Sequence, residues 1–117
     1  MEPRPYALPQ WTPETFKLPI LEDEKTVGYY EVPGLRAGVF GIYKVPGAIS
    51  FTLEHVLSQT VIARLATEER CRNLAADLSN LRLCLETTDR NIMVAGTPDY
   101  EEAMQLIRRY ADSGWGE

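Results

Sequence analysis

The sequence has little of the chemistry that most catalytic and metal sites use. It contains one histidine, His55, and two cysteines in 117 residues. Any histidine-based mechanism therefore depends on His55, the one side chain whose ordinary pKa lies near neutrality. No cysteine or histidine spacing matches a zinc site, no aspartate spacing matches a calcium loop, and the glycines do not form a phosphate-binding loop between strand and helix. We expect a protein that is not an enzyme and holds no metal or cofactor.

Neither the cysteines nor the histidine forms a recognisable reactive set. Two cysteines in a chain of this size do not make a disulfide framework, so we expect Cys71 and Cys84 to be reduced thiols packed as small apolar side chains. His55 shares one face of a predicted strand with Phe51 and Leu53, which favours a buried neutral histidine bonded to the backbone. A cysteine–histidine nucleophile would need proximity and an orienting third group.

Positive charge and long apolar runs are also scarce. Seventeen acidic residues against twelve basic ones give a formal net charge of −5 and an isoelectric point near 4.9. This balance argues against electrostatic attraction to nucleic acid or to an anionic bilayer. No apolar run approaches the roughly 20 residues that span a membrane, and the first residues lack the apolar segment of a secretory signal. We expect a soluble, cytoplasmic protein without membrane contact.

Proline is concentrated at the start of the chain. Five of the eight prolines lie in residues 1–25, among several large apolar side chains. Because proline fixes φ and cannot donate a backbone hydrogen bond, residues 1–25 are predicted to form an extended arm, with one helical turn at residues 13–17. The arm either straps the domain or grips a partner or a second copy. Residues 26–117 are predicted to form a single α+β domain.

Alternating apolar residues predict an antiparallel sheet of three or four strands within residues 26–66. The first strand is expected to end at the turn dipeptide Pro33-Gly34, and the second to run over residues 35–45. Two further strands are predicted to flank a turn at residues 57–59. Together these elements form an antiparallel meander.

Two amphipathic helices are predicted after the meander. Thr67 suits a helix N-cap, and apolar residues at three- and four-residue spacing predict a helix over residues 68–80 that packs across the sheet. Its predicted buried stripe is Cys71, Leu74, Ala75, Leu78 and Leu81. A C-terminal helix is predicted over residues 98–111, where proline occupies the first helical position. Residues 82–96 alternate like a hairpin, and the rival is a continuation of the first helix to about Glu86.

Aromatic side chains are the candidate binding residues, because such rings are the usual anchors of protein interfaces. The predicted partner-binding set is Tyr6, Trp11, Phe16, Tyr30, Tyr43 and Trp115. We therefore predict a non-catalytic protein-binding module whose partner is another protein. The apolar arm and an open sheet edge also favour a homodimer, since unpaired strands and exposed apolar segments seek partners.

The passage over residues 61–78, in which a strand leads through a capping threonine into an amphipathic helix, carries one resemblance. Together with the preceding strands it resembles the small sheet-and-helix DNA-binding domains of the AP2 and integrase-arm type. Those domains read DNA from a sheet face rich in arginine, lysine and tryptophan. The resemblance implies a nucleic-acid-binding regulator as the alternative function, and the cations that the matching strands offer are Arg36, Lys44 and Arg64.

The passage over residues 51–67, together with the helix that follows it, carries a second resemblance. This hairpin, followed by a helix with alanines, is similar to a pattern in small phage and prophage accessory proteins. It implies an accessory protein that a phage or another mobile element encodes. Such a protein would act by direct binding, as an inhibitor or modulator of a host or competing protein.

Overall fold

The computed structural model describes residues 4–88 and 97–112. Within them the chain forms one antiparallel sheet and two helices, which confirms the predicted α+β class, although the sheet has five strands where three or four were expected. The strands lie in the sheet in the same order as in the chain. They are β1 (Thr12–Glu22), β2 (Lys25–Ala37), β3 (Phe40–Tyr43), β4 (Phe51–His55) and β5 (Thr60–Leu65), followed by helices α1 (Glu68–Ser79) and α2 (Tyr100–Asp112).

The additional strand comes from the segment that the sequence indicated as an arm. β1 pairs with β2 along its whole length, so the boundary expected at residue 25 falls at the tip of the first hairpin. The helical turn expected at residues 13–17 was wrong, because these residues are extended in β1. Pro13 and Pro19 fit there because β1 is an edge strand, where a residue without an N–H group can face away from its neighbour.

The turn predicted at Pro33-Gly34 was also wrong. β2 continues through both residues, and Gly34 lies opposite Tyr43 of β3. A Cβ atom at Gly34 would overlap the backbone carbonyl oxygen of Ile42 on β3 and would lie 2.8 Å from the ring of Phe16, which packs over the strand at this point. Glycine is therefore required here by the close approach of neighbouring backbone and of an aromatic ring, and not by a turn.

The turn between β2 and β3 lies instead at Gly38-Val39, which divides the strand expected over residues 35–45 into two. Gly38 has a φ of +59°, and glycine with positive φ at the first of two central residues is typical of a type II′ hairpin turn. The flanking residues Ala37 and Phe40 lie opposite each other in the sheet. This short turn sends β3 back along β2.

The first helix forms as predicted. The side chain of Thr67 accepts a hydrogen bond from the backbone N–H of Arg70 at 3.1 Å, which caps the helix. The whole predicted stripe is buried: Cys71, Leu74, Ala75, Leu78 and Leu81. This stripe packs on the side chains of β3, β4 and β5, including Phe40, Ile42, Leu53 and Leu65, and forms the main core with them. Burial of this stripe stabilises a helix that is too short to persist alone in water.

The segment after α1 is neither a hairpin nor a continuation of the helix over the residues that the structure describes. α1 ends at Ser79, and the next residues run as irregular chain with Leu81, Leu83 and Leu85 buried in the main core. Leu83 also makes an isolated antiparallel bridge with Arg4. The remainder of the predicted hairpin, at 89–96, lies outside the described residues.

The second helix covers the predicted region, and its start lies two residues later than expected. Tyr110 ties α2 to α1, because its hydroxyl donates to Asp77 Oδ2 at 2.5 Å. Arg70 of α1 lies 5.6 Å from the Tyr110 ring centre and donates to the Tyr110 carbonyl at 3.2 Å. Among the described residues, neither helix is long and apolar enough to cross a membrane.

The sheet carries an apolar cluster on each face. The main core, described above, lies on the face that α1 covers. Since side chains alternate between the two faces of a strand, a smaller cluster of Phe16, Val32 and Tyr43 lies on the opposite face. Leu18 and Tyr30 pack at its margin, half-buried. This second cluster holds the base of the β1–β2 hairpin against the rest of the sheet.

Candidate protein-binding site

The β1–β2 hairpin extends beyond the rest of the sheet. In the described part of the chain, β2 has a second neighbouring strand only at residues 34–37, where it pairs with β3. From residue 16 to residue 32 the two strands therefore form a two-stranded ribbon, which we call the ribbon. A two-stranded ribbon is only marginally stable alone, so the packing of Phe16 and Val32 at its base is needed to hold it.

The far half of the ribbon exposes apolar side chains on one face. Leu21, Val27 and Tyr29 are 63, 58 and 65% exposed. Pro19 lies opposite Tyr29 in the register. Leu21 is two residues from Pro19, and Val27 is two residues from Tyr29, at the irregularity where the register shifts after Ile20, so these four side chains lie on the same side of the ribbon. We call these four residues the tip patch. It lies on the face opposite the one through which the ribbon packs on Tyr43.

Acidic residues form the turn that closes the ribbon. Glu22 and Lys25 lie opposite each other, and Asp23 and Glu24 between them have φ values of 50° and 64°. Two consecutive residues with positive φ form a type I′ turn, whose twist matches that of the strands it joins. All four side chains are exposed, so these acids are solvated charges beside the tip patch.

Two of the predicted partner-binding rings pack against the main core. Tyr6 is half-buried, its ring makes an edge contact with Phe40 at 6.3 Å between ring centres, and its hydroxyl accepts the backbone N–H of Val39 at 3.2 Å. Trp11 is partly buried against the same core. The described residues before β1 therefore pack along the domain, whereas the greater part of the predicted arm forms β1.

The structure brings together three other predicted rings, but it uses them for packing. Phe16 and Tyr43 are 7% and 6% exposed, and their ring centres are 5.2 Å apart. We expected these two rings to contact a partner, but in the structure they are buried against each other. Tyr30 is half-buried beside them. Alternation along the strand predicts that one ring of the adjacent pair Tyr29 and Tyr30 is free, and the predicted set contains Tyr30, whereas the exposed ring is that of Tyr29, on the opposite face. Trp115 lies outside the described residues.

The three cations of the alternative, nucleic-acid-binding interpretation do not form one surface. Arg36 is held by its own surroundings, since its Nε donates to the Gly38 carbonyl at 3.0 Å and a terminal nitrogen lies 3.4 Å from Glu14. Arg64 lies on β5, three strand spacings or about 14 Å from β2. Lys44 lies 5.7 Å from the ring of Phe51, which packs into the core on the other face.

His55 is buried and fully engaged, as the sequence predicted. Its Nε2 lies 2.5 Å from the carbonyl oxygen of Leu85, which can only accept, so Nε2 carries the proton. Its Nδ1 accepts the backbone N–H of Ser58 at 3.3 Å and lies 2.7 Å from the Ser58 hydroxyl. Burial lowers the pKa of His55, and the bond to Leu85 opposes that shift in part. His55 is thus buried in its neutral form.

Three other titratable groups, those of Cys71, Tyr43 and Glu54, are buried or half-buried and contact protein atoms. Burial raises the pKa of the Cys71 thiol to about 12, and the thiol faces the Phe51 carbonyl at 3.8 Å. Tyr43 donates its hydroxyl to Glu54 Oε1 at 2.9 Å, and burial raises the pKa of Glu54. Among the residues of 4–88 and 97–112, no group of three or more side chains is arranged to hold a metal ion.

Comparisons with known proteins find no relative of this chain. The chain matches no protein-family model, and comparisons with curated proteins and with solved structures find no match either.

Proposed function

We propose that the protein is a non-catalytic binding module that recognises another protein through the tip of its ribbon. The observation that supports this proposal is the tip patch, where Leu21, Val27 and Tyr29 are each more than half exposed on one face. Single exposed apolar residues are ordinary, whereas a contiguous group on a projecting element is typical of an interaction site. Tyr29 suits the role of a central anchor, because tyrosine is enriched among the residues that dominate binding energy.

The rest of the domain serves as a scaffold in this proposal. His55 and Cys71 are fully buried, with His55 Nε2 and the Cys71 thiol directed at backbone carbonyls and His55 Nδ1 directed at Ser58, so they are not accessible to a substrate. The buried base of the ribbon fixes the direction in which the tip patch projects. The domain therefore contributes stability and orientation, and the ribbon contributes contact.

The biological role that we propose is modulation of the partner by direct binding. A module of this kind changes the activity of its partner by covering one of its surfaces. Together with the resemblance to phage and prophage accessory proteins, this supports the proposal of an inhibitor or modulator that a mobile element encodes. A nucleic-acid-binding regulator, the alternative, has less support because Arg36, Lys44 and Arg64 lie apart and the exposed turn is acidic.

Affinity capture with matched variants tests the proposal. The tagged chain is used as bait in bacterial lysate with and without nuclease, beside two variants, the triple Leu21→Thr, Val27→Thr, Tyr29→Thr and the control Ile49→Thr. Ile49 is 83% exposed and lies outside the ribbon, so the control also removes exposed apolar area. Threonine is used because it suits strands.

We expect the unmodified chain and the Ile49 control to capture one protein in stoichiometric amount, and the triple variant to lose it. Circular dichroism and thermal unfolding establish that all three chains are folded. Equal capture by the triple variant, or capture that depends on nucleic acid, contradicts the proposal.

A further inference from the structure

The charge of the ribbon is unevenly distributed. Along the strands of the ribbon each acidic residue faces a basic residue on the neighbouring strand: Glu31 faces Lys17, and Glu22 faces Lys25. Such cross-strand pairs compensate each other. Asp23 and Glu24 form the turn and have no residue opposite them in the sheet. The excess charge of the ribbon is therefore negative and lies at its end, next to the tip patch.

The outer edge of the ribbon is poorly suited to strand addition. Pro13 and Pro19 lie within β1, which is the edge strand of the sheet, and proline has no N–H group to donate to an added strand. A partner that contacts this end of the molecule therefore relies on the side chains of the tip patch and the turn, and less on backbone pairing along β1.

The charge of the turn discriminates among occupants. Nucleic acid and anionic membranes repel Asp23 and Glu24. A second copy of the chain carries the same two acids on its own tip and the same formal net charge of −5. Two tips in contact therefore repel each other, because the distance between their charges is shorter than the distance over which salt screens them. Apolar side chains beside uncompensated acids are complementary to an apolar surface with basic residues at its margin.

We infer that the tip patch occupies an apolar cleft on a partner protein whose rim carries lysine or arginine. Leu21, Val27 and Tyr29 enter the cleft, and Asp23 and Glu24 pair with the cations at its rim. This inference rests on the proposed function, since it assigns the partner chemistry for the same surface. Burial of the apolar side chains supplies most of the affinity, and the charges set the selectivity and the rate of association.

A random peptide library tests the inference with a defined probe. Phage-displayed peptides are selected on the immobilised full chain, and the enriched peptides are synthesised with a fluorophore for anisotropy titration. We expect sequences that combine apolar residues with lysine or arginine. The variant Asp23→Asn, Glu24→Gln keeps side-chain size and is expected to weaken binding about fivefold at low salt, with a smaller effect at high salt.

A charge-matched control separates the tip from net charge. Glu101→Gln, Glu102→Gln removes the same charge from exposed positions in the first turn of α2, and is expected to leave peptide affinity unchanged. The triple variant of the tip patch is expected to abolish binding.

The possible results distinguish the two proposals. The enriched peptides could lack cations, and their binding could be lost in the triple variant but unchanged in Asp23→Asn, Glu24→Gln. That result overturns the inference and leaves the proposed function standing. Peptide binding that the triple variant leaves unchanged, or a selection that enriches no peptide, contradicts both the inference and the proposed function. Concentration-dependent dimerisation in sedimentation, abolished by the triple variant, overturns the inference because the occupant is then a second copy.

Discussion

The ring of Phe16 lies against Gly41, two strands away in the sheet. A Cβ atom at Gly41 would lie 2.8 Å from two atoms of that ring and 3.0 Å from Val56 Cγ2. The ring reaches Gly41 across Gly34 of β2, so one side chain joins three strands. The absence of a side chain at both glycines is what allows the base of the ribbon to sit on the sheet.

Gly41→Ala is expected to lower the free energy of unfolding by about 1–3 kcal/mol, because the added methyl overlaps a ring that is packed on several sides. Chemical denaturation measures the loss. Gly28→Ala is the matched control, since a Cβ atom there meets only Ile20 Cδ1 at 3.7 Å, an ordinary contact. Removal of the ring by Phe16→Ala should make Gly41→Ala less costly, and strict additivity of the two substitutions would contradict the contact.

The stability of the fold is expected to fall on acidification through the titration of His55. Burial lowers its folded pKa below the ordinary 6.5. Between the two pKa values the unfolded chain binds a proton and the folded chain does not, so acid favours unfolding. The contribution is present in full above about pH 6.5 and is lost as the pH falls through the folded pKa. Urea denaturation at a series of pH values measures it.

The titration of Glu54 changes stability in the opposite direction. Because its pKa is raised in the folded state, its contribution to the free energy of unfolding falls as the pH increases above 4.5. The control is therefore His55→Gln, which removes only the histidine titration. The difference between the two stability curves should decrease toward acid. A constant difference between about pH 5 and about pH 8 would show that His55 is not coupled to folding.

The two cysteines are expected to differ in reactivity. Cys71 is fully buried with a pKa raised to about 12, whereas Cys84 is exposed, and both are free thiols. A thiol reagent should label one cysteine in the folded protein and two after denaturation, because the thiolate is the reactive form and must meet the reagent. Cys84→Ser should leave no rapidly labelled thiol. Equally fast labelling of both sites would be inconsistent with the packing of α1.

Glu24→Gly is expected to stabilise the ribbon. Glu24 has a φ of 64°, a conformation that costs a residue with a Cβ atom about 1 kcal/mol and costs glycine little. Amide hydrogen exchange in β1 and β2 should slow by about fivefold, which corresponds to that free energy. Lys25→Gly, at a strand position with ordinary backbone geometry, should accelerate exchange instead. Faster exchange in Glu24→Gly would contradict the type I′ turn.

Part of the fold was predictable because its signals are local. The Thr67 cap and the apolar stripe of α1 identify a helix without knowledge of its neighbours, and both are found in the structure. The turn between β4 and β5 and the α+β class follow from alternation in the same way. The burial of His55 was predictable too, since it shares a strand face with Leu53.

The ribbon and its tip patch were not predictable from local signals. Prolines made β1 look like a separate arm, and only pairing with β2 shows that they lie on an edge. Tyr29 and Tyr30 are adjacent, so alternation exposes one of them without saying which one.

By itself, the sequence determined the first helix, the sheet class and the acidic charge, because each depends on residue type and on spacing within a few turns or strands. Only the tertiary structure decided which surface is available to a partner. Because Phe16 packs across Gly34 onto Gly41, the ribbon face that carries Tyr30 is turned toward the sheet and the face that carries Tyr29 is turned away from that cluster. That choice depends on contacts of Phe16 with residues 18 and 25 positions along the chain, which no local pattern encodes.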